Sequence, residues 1–470
     1  MKRLLVFLML VSVACSSTSR TDVAKQSAGG ADAAVPNDAG EPGGEAAALG
    51  ADPASGSAPT GRSRADDVGV SVPGGSSPAG VARTGGTLKL GVHLSANAAA
   101  ASAFGVTLPQ HSPEKVDAIL RWINSNGGIG GRKVEAVYHT TDPLRGSFDQ
   151  QAQETCTALT QDHKVHIAIS AAQLYRDTLP ACFAQNRTPF VWDVYYLTQR
   201  SVVPVEYLYR PAQPHADRMR FIVDGLVRHG FFRGARIGLL RYDSPKEKRV
   251  ADTVFKPALA SHGLKVTEEF AVREPKSASE ASDSAAELSS AALRFRQQRI
   301  SHVIFVPSGG AIPLLFLAAA ESQNYRPKYG LSSADAPYFV RDSVPRAQLE
   351  GAVGVGWAPT VDLGPTSAEA HKALPGTRLC VDIARKAGYG ADQAPFLYCD
   401  MLFFLQAALK DAAAITIDAL RTGTPRASGY ASSITYATRF GPGRHDGASI
   451  ARTFIYDGDW KYVGKPYDVG

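Results

Sequence analysis

The sequence lacks the residue patterns of the common enzyme classes. There is no GxSxG nucleophile elbow, no GxxxxGK(S/T) phosphate loop and no HExxH zinc helix. The glycine-rich stretch Gly127–Gly131 has no GxGxxG spacing and follows a helical pattern rather than a strand, which excludes the dinucleotide fingerprint. His163 and His166 make an HxxH unaccompanied by a carboxylate or cysteine pattern, so they read as solvated or satisfied side chains rather than metal ligands. His445-Asp446, in a late glycine-rich segment, reads as turn chemistry. Large charge of one sign is missing too: a formal net charge of +6 over 470 residues, carried by dispersed Lys and Arg, argues against a nucleic-acid partner. Of five cysteines none forms CxxC, which argues against redox catalysis and thiolate zinc sites. No cofactor, no metal and no enzymatic activity are expected.

Long hydrophobic runs are absent except at the start. MKRLLVFLMLVSVAC has Lys2 and Arg3 ahead of an apolar core, Leu4 to Val13, that is shorter than the about 20 residues a membrane span needs. This is the layout of a secretory signal. Ala14-Cys15 resembles a bacterial lipobox, with Ser12 where leucine is usual, and makes Cys15 the expected lipidation site; the alternative is ordinary signal cleavage. Residues 16–85 are rich in Ala, Gly, Ser, Pro and Asp and nearly devoid of large apolar side chains. Such a stretch cannot bury a core and reads as a disordered linker or stalk. The expected location is the extracytoplasmic face of the cell membrane, lipid-anchored, with a soluble body. The remaining cysteines, Cys156, Cys182, Cys380 and Cys399, are even in number, as in an exported disulfide protein. Three pairings are open; the local one, Cys156 with Cys182 and Cys380 with Cys399, is the most economical.

From Leu88 the periodicities alternate. LKLGVHL reads as a strand, and Ser112-Pro113 opens a helix whose Val116, Ile119, Leu120 and Ile123 fall at i, i+3, i+4, i+7. Gly127 and Gly128 stop that helix, and Val134 to Tyr138 alternates as a strand. Helices follow at 148–162 and 175–185, and buried strands at 165–170 and 189–194. The pattern then restarts, with strands at 236–242, 265–271, 301–307 and 328–331 separated by helices at 217–229, 248–262, 284–298 and 311–322. Strict strand–helix alternation implies α/β architecture, two doubly wound parallel-sheet units.

The wording INSNGGIGGRK at Ile123–Lys133, and the late segment RFGPGRHDGASIARTFIYDGDWKYV with Asp457, Gly458, Asp459 and Trp460, resemble the extracellular solute-binding proteins of the branched-chain amino acid (leucine-binding-like) class. The resemblance runs the length of the chain from about Gly86. It implies the type I periplasmic-binding-protein fold: lobe 1 at 86–211 plus 355–453, lobe 2 at 212–354 plus 454–470, a three-strand hinge, and a ligand between the lobes. It also implies a small polar ligand, an amino acid or related compound, handed to the permease of an ABC importer. Ligand contacts are expected from the loops after strands: Phe104, Ser170, Ala171, Ala172, Asp193 and Tyr195 in lobe 1, and Tyr242, Ser308 and Asp335 in lobe 2. The loop after the third strand holds a hydroxyl only at Ser170. Ser333 stands where amino-acid-binding members place an acid, with Asp335 two residues on, and Lys246 stands near the place of a ligand-packing tyrosine. A ligand-sensing or partner-binding lipoprotein of the same fold is the alternative role, and an exported α/β hydrolase a remoter one.

Overall fold

The computed structural model describes residues 81–82, 86–96, 111–172, 177–193, 204–307, 309 and 311–470, all within the unit Pro73–Gly470. Cys15, Phe104, Tyr195 and Ser308 lie outside the described residues, as do the signal segment and nearly all of the linker.

Fourteen strands are described, β1 (Val81–Ala82), β2 (Leu88–Ser95), β3 (Val134–Thr141), β4 (Ile167–Ser170), β5 (Phe190–Trp192), β6 (Leu208–Tyr209), β7 (Ile237–Tyr242), β8 (Val266–Val272), β9 (His302–Phe305), β10 (Lys328–Ser332), β11 (Val353–Gly356), β12 (Ala414–Ile415), β13 (Ile450–Tyr456) and β14 (Trp460–Asp468). Lobe 1 is built on a parallel five-stranded sheet ordered β3-β2-β4-β5-β6. Lobe 2 is built on a sheet ordered β8-β7-β9-β10-β11, also parallel, extended by β13 antiparallel to β11 and then β14 antiparallel to β13. Numbered from its own first strand, each parallel sheet has the order 2-1-3-4-5. That is a doubly wound order with its topological switch between the first and third strands. The architecture is α/β, in agreement with the strand–helix alternation of the sequence.

Local sequence explains the elements. β2 is buried at Leu88, Leu90, Val92 and Leu94, and helices cover it on both faces, so the strand has no solvent side to alternate toward. The helix Pro113–Ser125 buries Val116, Ile119, Leu120 and Ile123 on one stripe. Ser112 occupies its N-cap position with extended backbone, but no side-chain cap bond forms; the Ser112 hydroxyl serves the Glu114 carboxylate instead. Gly128 (φ 68°) is required in the following turn, because a Cβ there would meet the Arg132 carbonyl oxygen at 1.9 Å. The stretch read as one helix over 248–262 is two helical segments, Pro245–Val250 and Lys256–Ser261, joined by a wider π-type turn at Ala251–Phe255. Pro257 has no N–H to give to the preceding turn, and the widened turn takes up its ring.

The chain enters lobe 2 after β6, leaves it after β11 and returns through β13. Between those last two passages the helices Pro375–Lys386 and Phe396–Ala408 pack against Pro113–Ser125, completing the lobe 1 core. The disulfide Cys156–Cys182 ties the helices Phe148–Thr157 and Thr178–Gln185, and Cys380–Cys399 ties the two late helices. These are the local pairings. Val81–Ala82, inside the stretch read as linker, pairs antiparallel with Ala414–Ile415.

Candidate functional site

The two parallel sheets turn their carboxyl ends toward each other. The residues just past the strand ends meet across the gap: Phe148, after β3, donates its amide to the Lys276 carbonyl, after β8, at 2.9 Å. Ser147 and Ser277 form an isolated bridge at the same place. Lys246, after β7, lies 3.5 Å from the Asp177 carboxylate, after β4. The gap between strand ends is where open α/β sheets bind ligands, at the switch points. In lobe 1 the switch lies between β2 and β4, in lobe 2 between β7 and β9.

At the lobe 1 switch, Ser170–Ala172 closes β4. The Ser170 hydroxyl is fully buried. It donates to His93 Nδ1 (2.9 Å) and accepts from the Ala172 amide (3.0 Å). The other imidazole nitrogen, Nε2, donates to Thr141 Oγ1 (3.0 Å), which passes its own hydrogen to the Leu94 carbonyl. These bonds require the Nε2-protonated tautomer. Burial, reinforced by His139, pushes the His93 pKa down to about 3, so the ring is neutral. Tyr398 donates to the His93 carbonyl (2.6 Å), and Trp192 Nε1 donates to the Ala172 carbonyl (2.8 Å). The Ser170 hydroxyl therefore braces three strands together, and Ala171 and Ala172 are buried beside it.

Asp193, one residue past β5, is fully buried. Its Oδ1 accepts from the Ala212 amide and from Gln213 Nε2, each at 3.2 Å. It also shares a hydrogen bond with Asp400, the one charged side chain of the Phe396–Ala408 helix. Asp400 in turn accepts from the Tyr430 hydroxyl, the Ser432 hydroxyl (2.6 Å) and the Ser433 amide (2.7 Å). With its donors concentrated on Asp400, the shared proton belongs on Asp193, whose pKa burial and the Asp400 charge raise well above the carboxylate range. This pair sits beneath the crossovers. Arg210 donates its amide to the His445 carbonyl (2.9 Å), Gly447 returns one to the Arg210 carbonyl (3.1 Å), and the Tyr209 and His445 rings stack at 4.2 Å.

In lobe 2, Tyr242 ends β7 and is nearly buried; its amide donates to the Glu247 carboxyl (2.5 Å). Burial raises Glu247 to about 8. Asp335 is buried in the turn after β10, where it accepts from the Ser332 amide (2.7 Å) and hydroxyl (2.9 Å) in a capping box. Ser333 donates to Asp362 (3.0 Å) and accepts from the Trp357 amide (2.8 Å), fastening the crossover after β11. Burial raises Asp335 and Asp362 each to about 7.

The structure thus brings Ser170, Ala171, Ala172 and Asp193 into one network in lobe 1. Tyr242 and Asp335 stand at separate strand ends of lobe 2, with no hydrogen bond among the described residues joining them to that network. Sequence reasoning passed over His93, Asp177, Glu274 and Asp400. Asp400 carried a legible signal, a lone carboxylate in the otherwise apolar FLYCDMLFFL. The groups that bridge the lobes carried none, because their partners lie in distant stretches. Among the described residues no His, Cys, Asp and Glu cluster could hold a metal, and no helix is long and apolar enough to cross a membrane.

No family model matches the chain, and no curated protein matches it by sequence. Solved structures do. An ABC transporter substrate-binding protein from Aeropyrum pernix superposes with a TM-score of 0.61 at 14% identity, covering 82% of this chain and 96% of that one. A branched-chain amino acid ABC transporter protein from Thermus thermophilus with bound valine gives 0.59 at 16% identity, covering 81% and 96%. A possible leucine/isoleucine/valine-binding protein from Rhodopirellula baltica SH 1 gives 0.57 at 15% identity, covering 80% and 96%. With both sheets in the same switch-point order and these likenesses spanning the described body, the chain has the type I periplasmic-binding-protein fold.

Proposed function

We propose that this protein captures a small polar solute, an amino acid or related compound, between its two lobes, and that it makes or breaks no bond. The observation that carries the reading is the opposition of two switch points across one gap, with three crossovers beneath them. Ligand contacts made to both lobes at once favour the closed arrangement and shift the population toward it. The structural neighbours named for valine and for leucine, isoleucine and valine support the ligand class. The engagement of the Ser170 hydroxyl with His93 and Ala172 leaves backbone amides and the lobe 2 strand ends as the polar contacts for the ligand. Anchoring through a lipid on Cys15 and delivery to an ABC permease complete the proposal.

The test is a thermal-shift screen of the exported chain against free amino acids and small polar metabolites. A ligand at 100 times its dissociation constant adds about 2.7 kcal/mol, a readily seen rise in melting temperature. A panel that leaves the melting temperature unchanged refutes the binding reading, and a covalently altered ligand refutes the non-enzymatic one. For the anchor, Cys15→Ala is expected to move the protein from the membrane fraction to the soluble one.

A further inference from the structure

The segment between β8 and the helix Ala281–Gln297 reaches across to the other lobe. Its own lobe holds it rigidly. The Arg273 amide donates to Glu287 (2.6 Å), the Ser284 hydroxyl to the Arg273 carbonyl (3.0 Å), and the Lys276 amide to Glu280 (2.9 Å). From that base the Lys276 carbonyl accepts from the Phe148 amide of lobe 1, and Ser277 bridges to Ser147. Two residues earlier, Glu274 lies 3.7 Å from Lys246 Nζ, which also lies 3.5 Å from Asp177 of lobe 1. Lys246 is 6% exposed, so this charge is held out of bulk water between a carboxylate of each lobe. The lobe 1 side is rigid as well: Thr178 donates to Asp149 (2.5 Å), joining the starts of the helices that carry Asp177 and Phe148.

We propose that residues 273–277 and Lys246 form a clasp across the cleft mouth, in which the ion pair between Lys246 and Asp177 sets how far the lobes stand closed and therefore how tightly a solute is retained. The proposal rests on the two-lobed binding reading. Each lobe offers a preformed surface, so closing the clasp orders little chain. The charge pair is screened poorly at this burial and gives the closed arrangement a contact that the open one lacks. Retention of solute then depends on a protein–protein contact as well as on the ligand's own bonds.

The Phe148 amide reports on the clasp directly, because its hydrogen-bond acceptor belongs to the other lobe. Hydrogen exchange of the full chain, without added solute, is followed for the peptide containing Phe148, with the amides of β4 as reference. Lys246→Met and Asp177→Asn are each expected to speed Phe148 exchange about fivefold, the scale for one partly buried ion pair, and the double variant no further than either alone. Effects that multiply in the double variant, or exchange unaffected by either substitution, overturn the clasp. Unchanged β4 exchange shows that the variants fold. Solute binding is read separately by thermal shift, so a failed clasp with intact ligand stabilisation is distinct from a failed binding reading.

Discussion

Asp193 and Asp400 share one proton, and replacing either by asparagine should move stability in opposite directions. Asp193→Asn keeps an oxygen for the Ala212 amide and Gln213, and its new NH2 can donate to Asp400 as the proton did. What it removes is the need to hold a proton on folding. A carboxyl whose folded pKa is raised keeps its full stability below the unfolded value, near 4, and loses it as pH rises toward the folded value. Stability falls by about 1.4 kcal/mol per pH unit through that window for each proton held. As pH rises through that window the asparagine variant should gain steadily on the wild type. Asp335, Asp362 and Glu247 are raised too, but they titrate in both chains and cancel in the difference. Asp400→Asn behaves otherwise: it removes the charge that satisfies Tyr430, Ser432 and Ser433 and should cost about 2–4 kcal/mol at pH 5, the low end of the range. The assay is urea unfolding of the three chains from pH 5 to 8. The reasoning fails if Asp193→Asn runs parallel to and below the wild type, or if Asp400→Asn is neutral.

Removing Cys380–Cys399, which spans 19 residues, should cost about 3 kcal/mol, read as a lowered melting temperature of the Cys380→Ser, Cys399→Ser double variant. Gly354→Ala would place a Cβ 2.0 Å from the Phe454 ring and should destabilise lobe 2 by about 1–3 kcal/mol in a denaturant titration. His93, held near 3 when folded, takes up a proton on unfolding below its ordinary value of 6.5, so its contribution is full above 6.5 and is lost as pH falls toward 3. His93→Gln should therefore show a shallower loss of stability between pH 6.5 and 4, measured by the urea midpoint.

The elements that sequence reasoning reached were those whose signal is local. The stripe Val116, Ile119, Leu120, Ile123 and the buried runs of β2, β7 and β9 each state their own conformation, and their alternation states the doubly wound sheet. Between Trp357 and Ser449 no element was read: Phe396–Ala408 is buried nearly all round and so shows no one-sided stripe, and apart from Pro375–Lys386 the rest is short helices and turns. The site was less legible still. Ser170 reads as an available hydroxyl until His93, 77 residues away, is found against it. Asp335 reads as a ligand acid until its capping bonds to Ser332 are seen. Lys246 reads in the sequence as a loop lysine near the place of a ligand-packing tyrosine; only the approach of the lobes gives it Asp177.

The late return of the chain to lobe 1 sets an order on folding. The His93 carbonyl waits for the Tyr398 hydroxyl, 305 residues downstream, and Asp193 for Asp400. Until the helices 375–408 join, one face of the lobe 1 sheet has only Pro113–Ser125 to cover it, with Leu88, Leu90 and Val92 among the side chains that need more. Lobe 2 likewise lacks β13 and β14 until the last twenty-one residues arrive. Neither lobe can close its core until a segment far downstream has joined it. Such long-range closure is slow and leaves apolar sheet exposed meanwhile, the condition under which a folding chain is most prone to aggregate.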